Sequence, residues 1–192
     1  PKYDFSFTEE MNDLPPTLND IDARLYFTLL SARKTAYALV QDSTKPLARC
    51  LAELLDFAEE LQGQIGALPT VTEKMDFRSV FQNPELINPQ WPEKVAAGDL
   101  TAPVGESHFG RQIAMYFLFR YFLNLGLEGD VLSAAKMAVV GVLVPTYFGT
   151  DSWVMHLWSK ETEHSDVNME RYRRLLRTAD CLSVPSLKSR LV

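Results

Sequence analysis

Cysteine is almost missing from this chain. Cys50 and Cys181 are the only two, too few for a disulfide framework, a four-cysteine zinc site or an iron–sulfur cluster. Histidine is nearly as scarce, with His108, His156 and His164, and no H-E-x-x-H pair occurs. Glycine-rich phosphate loops are missing too: there is no G-x-G-x-x-G and no G-x-x-x-x-G-K-[ST], and neither C-x-x-C nor G-x-S-x-G is present. These gaps leave no motif for dinucleotide binding, P-loop chemistry, zinc proteolysis, dithiol redox work or serine hydrolysis. A basic surplus is lacking as well. Lys and Arg total 19 against 25 Asp and Glu, a formal charge of −6, so there is no general surface for releasing counterions from nucleic acid. Apolar runs stay below the ~18 uninterrupted residues of a membrane span, and Arg120 and Lys136 interrupt the two longest. With no signal peptide before Asp4, the expectation is a cytoplasmic protein that binds neither nucleic acid nor membrane.

What remains is an ordinary globular composition, 46% apolar and 23% charged, patterned for helices. Residues 1–17 are polar and end in Pro15-Pro16-Thr17, an extended lead-in. Ile21, Leu25, Leu29, Ala32, Ala36 and Leu39 line one face of a helix over 20–42, with Asn19 and Asp20 at its cap. Pro46 opens a second helix, carried by Leu47, Leu51, Leu54, Ala58 and Leu61 and closed by Gly63 and Gly66. The short link between the two predicts an antiparallel hairpin over 18–64. Residues 66–106 hold Pro69, Pro84, Pro89, Pro92 and Pro103 among isolated apolar anchors. They read as an irregular excursion with short turns at 73–82 and 91–98. A helical core over 107–179 follows. Its first helix spans 113–127, is apolar all round and is therefore expected at the centre. The next runs from Glu128 or Asp130 to Tyr147, where Pro145 kinks or ends it. Two more cover 152–164, capped by Asp151 or Ser152, and 165–179, capped by Ser165 or Asp166. The tail 180–192 is short and mildly basic. With no alternating strand signal, the chain reads as a single all-α domain of about six helices.

One acidic side chain stands out. Glu161 continues the apolar face of Val154, Leu157 and Trp158, and a carboxylate carried inward must be hydrogen-bonded, ion-paired or protonated. Glu161-x-x-His164 places both side chains on one helical face. The pair reads either as a general base, or an anion for a cationic amine, or as a structural group bridged to an arginine. Di-iron bundles use the same spacing but need two such motifs and two further glutamates; one motif is present, so no metal is expected. Arg120 and Asn124 form an i, i+4 pair on an otherwise apolar helix. A buried arginine needs an acceptor, with Glu161 and Glu163 as candidates, and the choice between a structural bridge and a clamp for a ligand carboxylate stays open. Tyr116, Phe117, Phe119, Tyr121 and Phe122 read mostly as core, with some able to line a pocket for an adenine or a methylated amine. Trp91, Trp153 and Trp158 read as anchors and Cys50 as a small buried hydrophobe. A cavity between the helix over 113–127, the one ending at Tyr147 and the one over 152–164 would suit a small apolar ligand.

Three stretches together carry a resemblance. The first is Ala32-Arg33-Lys34-Thr35-Ala36-Tyr37-Ala38-Leu39-Val40-Gln41-Asp42, then Pro46-Leu47-Ala48-Arg49-Cys50-Leu51 and Phe57-Ala58-Glu59-Glu60-Leu61. The second is Tyr116-Phe117-Leu118-Phe119-Arg120-Tyr121-Phe122-Leu123. The third and most specific is Ser159-Lys160-Glu161-Thr162-Glu163-His164-Ser165, with Asn168 after it. In order and spacing they resemble the C-terminal helical region of the flagellin lysine-N-methylase family, over residues 18–178. The resemblance implies methyl transfer from S-adenosylmethionine to the ε-amine of a lysine in flagellin, a bacterial protein. Arg120, Glu161, Glu163, His164 and Asn168 lie on the matching positions. It further implies that Glu161 with His164 positions the amine and that Tyr116 or Tyr121 lines the sulfonium site. The family's N-terminal cysteine-rich segment, thought to hold an iron–sulfur cluster, is not among these residues, so none is expected in this chain. It reads as a fragment or a shortened relative. The rival reading is a non-catalytic helical interaction module whose Arg/Glu/His cluster is structural.

Overall fold

The computed structural model describes residues 20–66, 72–150 and 152–191, and these form an all-α bundle. Its helices are α1 (Asp20–Gln41), α2 (Leu47–Ile65), α3 (Gln90–Ala97), α4 (His108–Leu127), α5 (Val131–Phe148), α6 (Ser152–Glu163), α7 (Asp166–Thr178) and α8 (Val184–Ser189). Short 3-10 turns cover Phe77–Phe81 and Asp180–Leu182, and a single bridge joins Glu73 to Ala179. The Asn19 and Asp20 cap, the side chain of Ile21, and Asp151 lie outside what is described.

The centre is α5, not α4. Nearly every α5 side chain is buried, and the helix packs against α4, α2, α6 and α7. Gly141 sets the closeness of that packing: a methyl group there would meet the Phe117 ring at 2.6 Å. By length and composition α5 would span a membrane, the only such helix among the described residues, but here it is enclosed by protein. The α4 helix is one layer further out. Its inner face buries Phe117, Leu118, Phe122 and Leu125, while Tyr116, Phe119 (63% exposed) and Leu127 face outward. An apolar sequence all round a helix thus gave the wrong centre, because α4 has more apolar residues than it has neighbours to cover them.

Side-chain caps fix the helix starts. Ser107, Asp130 and Ser165 each accept an N–H from the residue three further on, satisfying a donor that the first helical turn leaves open. Ser107 starts α4 five residues before the expected position. Gly63 lies inside α2, which runs on to Gly66 at a φ of 142°, and α5 continues through Pro145 to Phe148. The tail is also more ordered than its composition suggests, burying Leu182, Val184 and Leu187. Lys136, buried in α5, donates to the Leu176 carbonyl at 2.8 Å near the end of α7. Burial pushes its ammonium pKa down.

The excursion is built on aromatic contacts. Phe77, Phe81, Trp91, Tyr147 and Phe148 pack edge to face, and the Trp91 indole donates to the Phe81 carbonyl at 3.0 Å. Arg78 donates to the carbonyls of Val95, Ala96 (3.1 Å) and Gly98 (2.9 Å), closing the end of α3. Trp153 does not anchor the core; it is exposed and stacks on His156.

A second arginine holds the α1–α2 hairpin to α4. Arg111 donates to the carbonyls of Val40 (2.6 Å), Asp42 (3.2 Å) and Lys45 (2.7 Å) and grips Glu106 with two nitrogens. The Glu106 carboxylate also accepts the Leu47 N–H at 2.8 Å, at the start of α2. Arg111 and that N–H hold the Glu106 pKa below its ordinary 4.5. A depressed carboxyl pKa contributes stability above the unfolded value that is lost as pH falls through the folded one. The wild-type advantage over Glu106→Gln will therefore be full above pH 4.5 and shrink on acidification. Urea midpoints of both proteins down an acid pH series check this, and an advantage that stays constant overturns it.

Candidate functional site at the end of α6

The end of α6 carries two buried carboxylates that face different structures. Val154, Leu157 and Trp158 turn one side of the helix inward, and Glu161 follows on that side with no exposed surface. One of its oxygens, Oε1, accepts the backbone N–H groups of Ile87 (3.0 Å) and Asn88. The other, Oε2, is approached by the Asn83 amide at 3.5 Å. Glu161 therefore holds the loop 83–89, which has no secondary structure to satisfy its own backbone. Asn168, fully buried in α7, completes the hold. Its amide donates to the carbonyls of Glu161 (2.7 Å) and Glu85 (2.8 Å), and its oxygen accepts the Glu85 N–H at 3.0 Å. Ser165 reaches the Glu85 carboxylate at 2.5 Å.

Glu163, two residues later, turns toward α4. Its carboxylate is 5% exposed and meets the Arg120 Nε at 2.8 Å. Ser159 donates to it at 2.6 Å, Tyr116 at 3.3 Å, and Tyr121 donates through its hydroxyl. Burial, and then the hydrogen bond to Glu163, push the Tyr121 hydroxyl pKa well up. Burial does the same to Tyr116, more weakly. Both phenols are thereby kept as donors.

Three sequence expectations need correction. Glu161 does turn inward, but His164 does not accompany it: α6 ends at Glu163, and His164 sits exposed in the turn before α7. The i, i+3 rule fails there because the helix has already stopped. Arg120 pairs with Glu163, one of its two candidate acceptors, but with 50% of its side chain exposed it is not a buried arginine. Asn124 lies on the surface and donates only to the Arg120 carbonyl, at 3.4 Å. Among the aromatic residues of α4, Tyr121 is at the Glu163 cluster and buried, and Tyr116 is at the cluster but 45% exposed.

A pocket of about 290 Å³ lies against Glu161. Phe81, Leu86, Trp91 and Val95 supply apolar walls, and Arg78 and Glu161 are its charged groups. Arg78, Asn83 and the 87–88 backbone were not singled out from the sequence. The signal available was the pair of Asn-Pro turns, Asn83-Pro84 and Asn88-Pro89, which frame a loop whose donors need an acceptor from elsewhere. A second hollow, of about 380 Å³, lies between α4, α5 and residues 102–107, away from this site, with Glu106 its one charged lining residue. Among the described residues no three His, Cys, Asp or Glu side chains gather as a metal site. No family model, no curated protein and no solved structure matches this chain.

Proposed function

We propose that this chain is the helical domain of a lysine-N-methylase-like protein, in which S-adenosylmethionine is the methyl donor and a lysine of flagellin the acceptor. The observation that supports it is the hollow beside Glu161: a fully buried carboxylate from the most specific part of the resemblance lies behind a lining in which Arg78, Gln82 and Asn83 sit among apolar residues. An alkylammonium group needs this combination, a charge partner for its head and apolar or aromatic surface for its stem. The two N–H groups on Oε1 fix the carboxylate in place; Oε2 is buried beside the Asn83 amide, so a ligand N–H reaches it when the Asn83 side of the loop moves aside. About 290 Å³ suits a lysine stem or the amino-acid end of the donor; the nucleoside would lie outside. When bound, S-adenosylmethionine supplies an electrophilic methyl group. Glu161 then serves to hold and orient a cationic nitrogen, and Trp91 and Phe81 help to exclude water around it.

A second reading has its own support. Every polar residue of the motif that is buried already has a structural partner: Glu161 and Asn168 hold the loop, and Glu163 holds α4. That suits a non-catalytic interaction module. Calorimetric titration with S-adenosylmethionine, and separately with a lysine-bearing flagellin peptide, divides the two. Saturable heat with either ligand is expected. No heat with both at millimolar concentration removes the methylase reading and leaves the module.

A further inference from the structure

Asp and Glu number 25 in this chain, yet none occurs in Ala23–Gln41 of α1 or anywhere in α4. The same two stretches hold Arg24, Arg33, Lys34, Arg111 and Arg120. The helices lie side by side: a Cβ at Gly126 would come 2.7 Å from the Leu29 side chain, and the Arg33 guanidinium stands 5.9 Å from the centre of the Phe119 ring. Their outward sides therefore form one surface. On α1 it shows Arg24, Phe27, Ser31 and Lys34, all exposed and at helical spacing. On α4 it shows Tyr116, Phe119, Leu123 and Leu127, with Arg120 beside them. Phe27, Tyr116, Phe119 and Leu127 are between 41% and 63% exposed. Glu163, which borders this surface, is 5% exposed and paired with Arg120, and Glu128, the residue after α4, faces Arg173.

An apolar surface of this kind marks an interaction site, and its charge selects the occupant. A second copy of the chain would set cations against cations with no carboxylate to relieve them. Shape then separates a peptide from a bilayer. Phe119 stands at the seam with α1, whereas Tyr116, Leu127 and Arg120 follow at about 60°, 80° and 100° round α4, on the side away from Gly126. A peptide helix laid in the seam would leave these three uncovered, but a plane resting on both helices meets them together with Phe27 and Lys34. We infer that the outer face of α1 and α4 docks on an anionic lipid membrane, with Phe27, Tyr116, Phe119 and Leu127 entering the headgroup region and Arg24, Lys34 and Arg120 lying against the acidic headgroups. A peripheral contact needs no membrane-spanning helix, and spanning segments are all that the sequence expectation against a membrane addressed. The inference goes beyond the methylase reading and does not depend on the Glu161 hollow.

The test is co-sedimentation of the whole chain with two kinds of vesicle: phosphatidylcholine alone, and two parts phosphatidylcholine to one part phosphatidylserine. Binding to the mixed vesicles is expected to be about tenfold or more tighter than to phosphatidylcholine alone, and to weaken as salt is raised. Arg24→Gln and Arg120→Gln are each expected to weaken it about fivefold, and Phe119→Ser about tenfold. Val167→Ser, at a residue 50% exposed on α7, is expected to bind like the wild type. All four side chains are exposed, so each variant keeps its fold, and circular dichroism checks that it does. Equal binding to both kinds of vesicle, or none to either, overturns the inference. So does binding that Phe119→Ser and Arg24→Gln leave unchanged, which would place the contact on another surface. Soluble polyglutamate that binds as tightly as the mixed vesicles, and loses affinity in the same variants, would make an acidic polypeptide the occupant and overturn the lipid. Self-association that Phe119→Ser abolishes, without vesicle binding, would make it a second copy and do the same. Each of these failures leaves the S-adenosylmethionine titration, and the methylase reading with it, where it stands.

Discussion

Glu161→Leu will lower the unfolding free energy by about 2–4 kcal/mol and free the loop 83–89. The size follows from what the carboxylate does. It is the acceptor for the Ile87 and Asn88 N–H groups, and a donor left unsatisfied in a buried setting costs about 1–3 kcal/mol. Leucine fills the space but accepts nothing, so the loop must either keep two orphaned donors or open to water. Glu161→Gln retains one carbonyl-type oxygen and is expected to cost about 1 kcal/mol, a neutral acceptor replacing a charged one. For a chain of this size the leucine variant corresponds to a melting temperature lower by roughly 4–16 °C. Hydrogen exchange makes the local claim separable from the global one: the Ile87 and Asn88 amides must speed up in Glu161→Leu by more than those of α5 do. Uniform acceleration across both regions would show that Glu161 supports the fold at large and that the loop has no dependence on it.

This dual position of Glu161, as acceptor for the loop and as pocket wall, explains which part of the site could be read from the sequence. The inward turn was legible because it needs only helical periodicity: Val154, Leu157 and Trp158 define a face and Glu161 falls on it. The six long helices were legible for the same reason, and local chemistry narrowed the α7 cap to Ser165 or Asp166, of which Ser165 serves. What Glu161 touches was not legible. Its partners lie about 75 positions away in a segment without periodicity, where pairing is decided by backbone donors rather than side-chain pattern. Arg78 was invisible on the same ground, since its role depends on the carbonyls at the end of α3. His164 shows the opposite error. A spacing rule was applied one residue past the end of the helix that licenses it. The rank of α4 and α5 was misjudged because composition records how apolar a helix is, not how many neighbours surround it. Gly141 and the small residues Ala134, Ala135 and Ala138 marked α5 as the element that others approach closely.

Glu163 and Arg120 form an ion pair whose two halves are not equivalent, and substitution will show it. Glu163→Ala is expected to cost about 2–4 kcal/mol, against about 1 kcal/mol or less for Arg120→Ala. The carboxylate is the hub: it is 5% exposed and accepts from Arg120, Ser159, Tyr116 and Tyr121. Its removal leaves the buried Tyr121 hydroxyl and Ser159 short of an acceptor, each a hydrogen bond to a charged group worth about 1.5–3 kcal/mol. Arg120 is half exposed, so its loss returns a solvated cation to water. Exposed pairs of this kind contribute about 0.2–1 kcal/mol, and three hydroxyls still surround the carboxylate. Chemical unfolding of both single variants and the double variant gives the comparison, with the coupling read from the cycle. Equal costs for the two single variants would mean that the carboxylate depends on the guanidinium and that the hydroxyls are incidental. Tyr121→Phe sharpens the distinction, because it removes the donor to Glu163 and the acceptor of the Arg120 Nε–H at 3.1 Å without altering charge or packing volume, and is expected to cost about 1–2 kcal/mol. The order Glu163→Ala, then Tyr121→Phe, then Arg120→Ala follows from burial alone. If it holds, the second carboxylate of the motif anchors α6 to α4, and any ligand chemistry at this end of the bundle rests with Glu161.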